Sequence, residues 1–140
     1  MKDDALFYTC SLIEYIGRKK CRTRRAVVDK LGEKNLRQIY EDSGVLHCEP
    51  IEKIADEYIR LAGIRKGTFD NISTCRFTVP DYWDMGDVYS RLITDVGGAD
   101  RIASLIEVYR SKLSEEIQDF NSALYYQSRG YLAASYRGLA

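Results

Sequence analysis

The stretch PIEKIADEYIRLAG at residues 50–63 carries the clearest helical pattern in this sequence of 140 residues. Its apolar side chains recur three or four residues apart, as they do on the buried face of an amphipathic helix. They are Ile51, Ile54, Ala55, Tyr58, Ile59 and Ala62. Pro50 suits a first helical turn and Gly63 suits a C-terminal cap, so the pattern predicts a helix over residues 51–62.

A first helix is predicted near the start of the sequence. Asp3 or Asp4 can cap it, and its apolar residues form two stripes that continue to about Gly17 or one turn further. So broad an apolar surface is typical of a helix that is buried on more than one side.

Two short helices are predicted between these elements. Thr23 has the side chain of an N-cap for a helix that Gly32 would end. Residues 35–42 have helical spacing as well, and Ser43 with Gly44 would end that segment.

The helical rhythm breaks at residues 64–79 and then returns. The alternation at residues 73–79 fits either a short strand or an extended linker packed across helices, because a single strand has no visible partner. Asp81 is suited to cap the next helix, which would end at the glycines of residues 97–98. Apolar spacing at residues 100–126 predicts one long final helix as the spine of the fold, and residues 131–140 would form a short helix or fray.

These patterns together predict an all-α protein. We expect one compact domain over residues 1–140, a bundle of five or six helices with an irregular crossover around residues 64–79. The segments 1–63 and 80–140 could be sub-bundles, although a single shared core is the simpler arrangement for so short a chain.

Cysteine and histidine usage argues against a metal centre. The four cysteines are widely spaced without a Cys-x-x-Cys pair, and the single histidine, His47, is adjacent to Cys48. Zinc sites use paired close ligands, so free thiols in a reducing compartment are the better interpretation. The sequence also lacks an apolar run of about 18 residues. We therefore expect a cytoplasmic protein with no membrane partner.

No residues in the sequence form a convincing catalytic or cofactor site. Asp81, Asp84 and Asp87 recur every three residues and could hold a hard cation, but negative charge is also favoured in the first turns of a helix. His47 has no assignable nucleophile or orienting group. The sequence predicts a protein that is not an enzyme and needs no cofactor.

A basic segment at residues 17–25 is the most concentrated charge in a chain whose formal net charge is zero. It contains Arg18, Lys19, Lys20, Arg22, Arg24 and Arg25. The first three would lie where the end of a helix favours cations, which leaves the last three without a local explanation. The segment could be a solvated surface, a contact to nucleic-acid phosphates, or a contact to an acidic protein partner.

Tyrosine is the dominant aromatic residue, with eleven tyrosines against four phenylalanines. Four of them crowd the C-terminal part of the chain: Tyr125, Tyr126, Tyr131 and Tyr136. Tyrosine buries an apolar ring while its hydroxyl stays in contact with water, which suits interfaces. We expect this cluster to form a protein or homodimer interface.

Residues 6–62 resemble a family of small helical bacterial domains of unassigned function. The resemblance rests on the segment CSLIEY at residues 10–15, on IYE at residues 39–41, on the pair Leu46-His47, and on the following helix. Members of that family are often encoded near toxin-like or mobile-element genes. The segment VPDYWDMG at residues 79–86, with VY at 88–89 and RLI at 91–93, resembles part of other small proteins from similar genomes.

The resemblance implies a small accessory protein that works by binding. We expect a non-enzymatic interaction module whose partner is another small bacterial protein or a second copy of the chain. The alternative is a nucleic-acid-binding regulator that uses the basic segment from Arg18 to Arg25.

Overall fold

The computed structural model describes residues 3–138, and every regular element in that range is helical. The predicted all-α fold class is therefore confirmed. The α-helices of this range are α1 (Asp4–Lys20), α2 (Arg24–Leu46), α3 (Ile51–Ala62), α4 (Tyr82–Val96), α5 (Arg101–Tyr109), α6 (Lys112–Ile117) and α7 (Arg129–Tyr136). Two 3₁₀ turns, Phe120–Ser122 and Leu124–Tyr126, lie between α6 and α7.

Helix α1 occupies the centre of the bundle and packs most extensively against α4 and α2. Asp3 caps it, because its carboxylate accepts a hydrogen bond from the Leu6 amide at 3.0 Å. The α1–α4 contact is close: a Cβ atom placed on Gly86 would lie 2.9 Å from the Cα atom of Ser11. The broad apolar surface predicted for this helix is thus buried on several sides.

The prediction of one long helix over residues 100–126 is wrong, and α1, not that segment, is the spine of the fold. Ser111 separates α5 from α6: its hydroxyl donates to the Val108 carbonyl at 2.6 Å and, as the N-cap of α6, accepts from the Ser114 amide at 3.2 Å. The Asp119 carboxylate then accepts from the Asn121 amide at 3.1 Å and begins a 3₁₀ turn. Polar side chains that compete for backbone groups broke a helix that apolar spacing alone would continue.

Helix α2 contains the two segments that the sequence predicted as separate helices. Gly32 adopts φ 76° and ψ 166°, which kinks the helix at the predicted boundary. The second segment runs to Leu46 and thus passes the predicted end at Ser43 and Gly44. A glycine with open space around it costs helix stability but does not end a helix by itself.

The crossover between α3 and α4 is irregular, as predicted, and contains no strand among the described residues. Of the two alternatives for residues 73–79, the extended linker is the correct one. Asn121 holds this linker in place, because its side chain accepts from the Arg76 amide at 2.8 Å and donates to the Thr74 carbonyl at 3.0 Å. Farther back, the Asn71 side chain donates to the Gln118 carbonyl at 2.8 Å.

Buried apolar side chains from both halves of the chain form one hydrophobic cluster, which extends from Leu6 in α1 to Leu132 in α7. Helix α7 is the short final helix that the sequence allowed; residues 139–140 lie outside the described range. None of the helices described here is both long enough and apolar enough to span a bilayer.

Candidate functional site

The basic segment is largely bound to the rest of the fold. Arg18 donates a hydrogen bond to the Pro80 carbonyl, and its guanidinium lies 5.7 Å from the centre of the Phe120 ring. Lys19 forms an ion pair with Asp56 of α3 at 2.6 Å. These two side chains therefore connect the end of α1 to α3 and to the start of α4.

The middle of the basic segment anchors the crossover. Arg22 Nε donates to the Arg65 carbonyl at 2.6 Å. The carbonyls of Lys20 and Cys21 accept from the amides of Gly67 at 2.7 Å and Phe69 at 2.9 Å. Because a Cβ atom on residue 67 would lie 2.7 Å from the Cys21 carbonyl oxygen, only glycine fits this approach. The backbone of the basic segment therefore holds the crossover in place.

Arg24, which lacked a local explanation in the sequence, is one of the most buried side chains of the protein, with 1% of its surface exposed. Its Nε atom donates to Glu14 Oε1 at 3.0 Å, and Nη1 donates to the Arg22 carbonyl at 3.0 Å. The guanidinium lies against Gly17, where a Cβ atom would come within 2.6 Å of it. Arg24 is therefore unavailable to nucleic acid, which corrects its place among the predicted contacts.

Glu14 is the centre of a buried polar network that the sequence analysis missed. Its Oε2 atom accepts from the Tyr109 hydroxyl at 3.1 Å, and Gln118 Nε2 lies within 3.2 Å of both carboxylate oxygens. Gln118 also donates to the Tyr89 hydroxyl at 3.1 Å. The sequence did contain a signal for this network. Glu14 lies between Ile13 and Tyr15 in a helix that was predicted to be buried on several sides, and a buried carboxylate requires hydrogen-bond or ion-pair partners.

The tyrosines of this network stay neutral over a wide pH range. The rings of Tyr89 and Tyr109 stack with centres 4.1 Å apart, and the Tyr89 hydroxyl lies 2.7 Å from Ser114 Oγ. Burial raises the pKa of both phenols well above the ordinary value, and the nearby Glu14 raises them further. The network supplies the buried Glu14 carboxylate with hydrogen bonds from Arg24, Tyr109 and Gln118.

The aspartates of α4 have structural partners. Asp81 and Asp84 form a reciprocal capping box, with bonds of 2.7 and 3.0 Å between side chains and amides. Asp87 forms an ion pair with Arg91 at 2.9 Å. Within residues 3–138 no three His, Cys, Asp or Glu side chains are grouped so as to hold a metal ion.

The four C-terminal tyrosines separate into two groups. Tyr125 and Tyr126 contact each other edge to face, with ring centres 5.1 Å apart, and both line a groove beside α4. Tyr131 is exposed and Tyr136 half-buried; both belong to α7 and lie outside the residues that line this groove. The structure therefore brings together only half of the predicted cluster.

The groove beside Tyr125 and Tyr126 has a volume of about 340 Å³ and is named here the tyrosine groove. Its walls are Asp84, Val88, Arg91, Leu92, Tyr125, Tyr126, Gln127, Ser128, Arg129 and Leu132. Tyr126 lies in the wall of the groove and is 66% exposed. Arg129 forms an ion pair with Asp95 at 2.6 Å.

A second groove, named here the aromatic groove, lies where the start of α1, the end of α2 and the start of α4 meet. It has a volume of about 480 Å³ and is lined by Asp4, Phe7, Tyr8, Ser43, Gly44, His47 and Trp83. Trp83 is 38% exposed, and its ring centre lies 5.7 Å from that of Phe7. Burial raises the pKa of Tyr8 to about 12.

The two grooves flank the first turn of α4. Trp83 lines the aromatic groove and its neighbour Asp84 lines the tyrosine groove. A single binding partner placed over the start of α4 could therefore fill both grooves. The sequence pointed to Tyr125 and Tyr126 but not to Trp83, because only the tertiary structure places the end of α2 and the start of α4 around one groove.

Comparisons with known proteins add no relative: no family model, no curated protein and no solved structure matches this chain.

Proposed function

We propose that this protein is a non-enzymatic interaction module that binds another small bacterial protein across the first turn of α4. The observation that carries the proposal is the pair of grooves on either side of Trp83 and Asp84. Aromatic side chains that are partly exposed and held rigidly by their neighbours are the usual anchors of protein interfaces. Trp83 is held in this way, since its ring contacts both Phe7 and Tyr82.

The chemistry of the aromatic groove favours a partner segment that is apolar and basic. Asp4 is the one carboxylate among the described residues that line it, and no lysine or arginine lines it there. A cation on the partner can pair with Asp4 and lie over the Trp83 ring. An apolar side chain of the partner can replace water against Tyr8 and Trp83.

The alternative of nucleic-acid binding through the basic segment receives less support. Arg24 is buried, Arg18 and Arg22 donate to backbone carbonyls, and Lys19 is paired with Asp56. Lys20 and Arg25 would have to supply the phosphate contacts, and two cations give weak binding at physiological salt. We also propose a cytoplasmic location, because the four cysteines are free thiols, which fits a reducing compartment.

The proposal can be tested with a random peptide library displayed on phage and selected on the full chain. Trp83 is the single tryptophan, so its fluorescence reports directly on occupancy of the aromatic groove. We expect the selected peptides to be apolar and basic, to change Trp83 emission, and to lose binding to Trp83→Ala.

The matched control is Leu61→Ala, which removes an exposed apolar side chain from α3, outside both grooves. This variant should bind the peptides as the unchanged chain does. Enrichment of acidic peptides, or equal binding to both variants, would contradict the proposal. Self-association that depends on Trp83 would show that the partner is a second copy of the chain and not a separate protein.

A further inference from the structure

The first part of the crossover, residues 65–69, has one edge bonded to the end of α1 and one edge that is open. Gly67 donates a backbone hydrogen bond to the Lys20 carbonyl at 2.7 Å, and Phe69 donates one to the Cys21 carbonyl at 2.9 Å. Bonding by alternate residues is the pattern of an extended chain, in which the residues between them direct their amides and carbonyls to the other side. This second side is named here the crossover edge.

The crossover edge carries free hydrogen-bonding groups of both kinds. Lys66 and Thr68 are exposed, and their amides and carbonyls have no hydrogen-bond partner among the described residues. Each of the two residues offers a donor and an acceptor on one side, as the edge strand of a sheet does. A peptide backbone supplies both complementary groups, whereas the phosphates of DNA supply acceptors only. The edge therefore fits an extended peptide.

Four cations lie on the two chain segments that meet here and are named the basic patch: Lys20, Arg22, Arg65 and Lys66. Arg22 lies across the extended chain, because its Nε atom donates to the Arg65 carbonyl at 2.6 Å and a Cβ atom on Gly67 would lie 2.9 Å from its Cδ atom. None of the four cations forms an ion pair among the described residues. The patch is therefore a positive surface that the fold itself does not neutralise.

The charges select the kind of peptide. Residues 20–25 and 65–69 contain no carboxylate. Asp70, the first carboxylate beyond the edge, accepts bonds from its own turn, at 2.9 Å from the Ile72 amide and 2.6 Å from the Ser73 hydroxyl. Lysine and arginine beside an open edge exclude basic strands and disfavour apolar ones, so the complementary strand is acidic.

We infer that the crossover edge binds an extended acidic segment of a protein partner, which adds as a strand beside residues 66–68. The partner's backbone pairs with Lys66 and Thr68, and its carboxylates face the basic patch. The patch shares no residue with the described walls of the two grooves beside α4, so this inference does not depend on the binding proposed there.

The test is a titration of the ¹⁵N-labelled full chain with a short peptide of alternating glutamate and threonine, followed by NMR. We expect saturable shifts at residues 66–68 and slower hydrogen exchange of the Lys66 and Thr68 amides, because these amides become hydrogen-bonded in the complex. The same peptide with glutamine in place of glutamate should bind at least about fivefold more weakly. A short oligothymidine of equal charge should leave both exchange rates unchanged.

Two double variants with the same change of charge test the basic patch. Arg65→Glu with Lys66→Glu should weaken binding of the acidic peptide about five- to thirtyfold. This variant keeps the bond from Arg22, which goes to the backbone of residue 65. Lys30→Glu with Lys34→Glu alters exposed cations of α2 away from the edge and should change binding by less than about twofold.

Equal effects of the two double variants, unchanged exchange at Lys66 and Thr68, or equal binding of the glutamine peptide would each overturn the inference. Tighter binding of oligothymidine than of the acidic peptide would assign the patch to nucleic acid and overturn it as well. Because this surface would also collect acidic peptides from a random library, the selection for the grooves beside α4 is repeated on Arg65→Glu with Lys66→Glu. The two proposals then succeed or fail separately.

Discussion

Glu14 of α1 and Arg24 of α2 form an ion pair in the interior of the protein, with 3.0 Å between Arg24 Nε and Glu14 Oε1 and no more than 1% of either side chain exposed. Removing two charges from water is costly, and their mutual attraction offsets this cost only when further hydrogen bonds complete the site. Tyr109 and Gln118 supply those bonds to Glu14. The pair therefore fixes the position of α2 relative to α1 and α6.

Breaking one side of this pair should destabilise the protein strongly. Arg24→Met leaves Glu14 buried without its cation, and we expect a loss of about 3–5 kcal/mol in the free energy of unfolding. Urea denaturation followed by circular dichroism measures this loss. Arg25→Ala is the matched control, because the neighbouring arginine is exposed and should change stability by less than about 0.5 kcal/mol. If the two variants were equally stable, the pair would not have the role described.

Gly86 should be irreplaceable where α4 crosses α1. A methyl group there would lie 2.0 Å from Ser11 Oγ and 2.9 Å from Ser11 Cα, so the helices would have to separate. We expect Gly86→Ala to cost about 1–3 kcal/mol. Gly44→Ala, in the open part of α2, should instead stabilise by about 0.5–1 kcal/mol. Melting temperatures of the two variants should therefore shift in opposite directions.

Asp100 should make stability depend on acid pH. Hydrogen bonds from Arg37 at 2.7 and 3.1 Å, and then from the Ala103 amide, lower the pKa of Asp100 from 3.8 to about 2. The unfolded chain binds a proton here before the folded one does, so this stabilisation is present above pH 4 and is lost as the pH falls towards 2. The difference in melting temperature between the unchanged chain and Asp100→Asn should shrink over that range. A constant difference would exclude this linkage.

Tyr89 and Tyr109 should make stability depend on alkaline pH. Their pKa values are raised by burial, so above pH 10 the unfolded chain loses phenolic protons that the folded chain keeps. Stability should therefore fall as the pH rises above 10. Tyrosinate absorbance should show these two phenols ionising only when the protein unfolds. The Tyr109→Phe variant should have one fewer late-ionising group, and an unchanged titration would contradict the assignment.

Asn121 should control the mobility of the crossover. Its side chain holds the Arg76 amide and the Thr74 carbonyl, so Asn121→Ala removes both anchors from the linker. We expect faster amide hydrogen exchange at Arg76, with unchanged protection in α1. Asn35→Ala, which removes a side-chain bond to the Leu31 carbonyl within α2, is the control and should leave the exchange of Arg76 unchanged.

Features that depend on near neighbours were predictable from the sequence. The helix of residues 51–62, its αL cap at Gly63 and the capping box of Asp81 and Asp84 follow from groups at most four residues apart. Gly32 likewise marks a kink because of its own backbone freedom. Sequence spacing failed at residues 100–126, since an apolar period does not reveal that Ser111 and Asp119 will bond to the backbone.

Only the tertiary structure decided which charges are buried and which aromatic rings form grooves. Gln118 donates a hydrogen bond to Glu14, which is 104 residues away in the sequence, and no local sequence pattern predicts that contact. Arg24 and Arg25 are adjacent and chemically identical, yet Arg24 is buried and Arg25 is exposed. Adjacent residues lie on different faces of a helix, and tertiary packing decides which face is buried. The sequence by itself determined an all-α protein and the bounds of α3 and α4, whereas long-range packing decided the buried pair and both grooves.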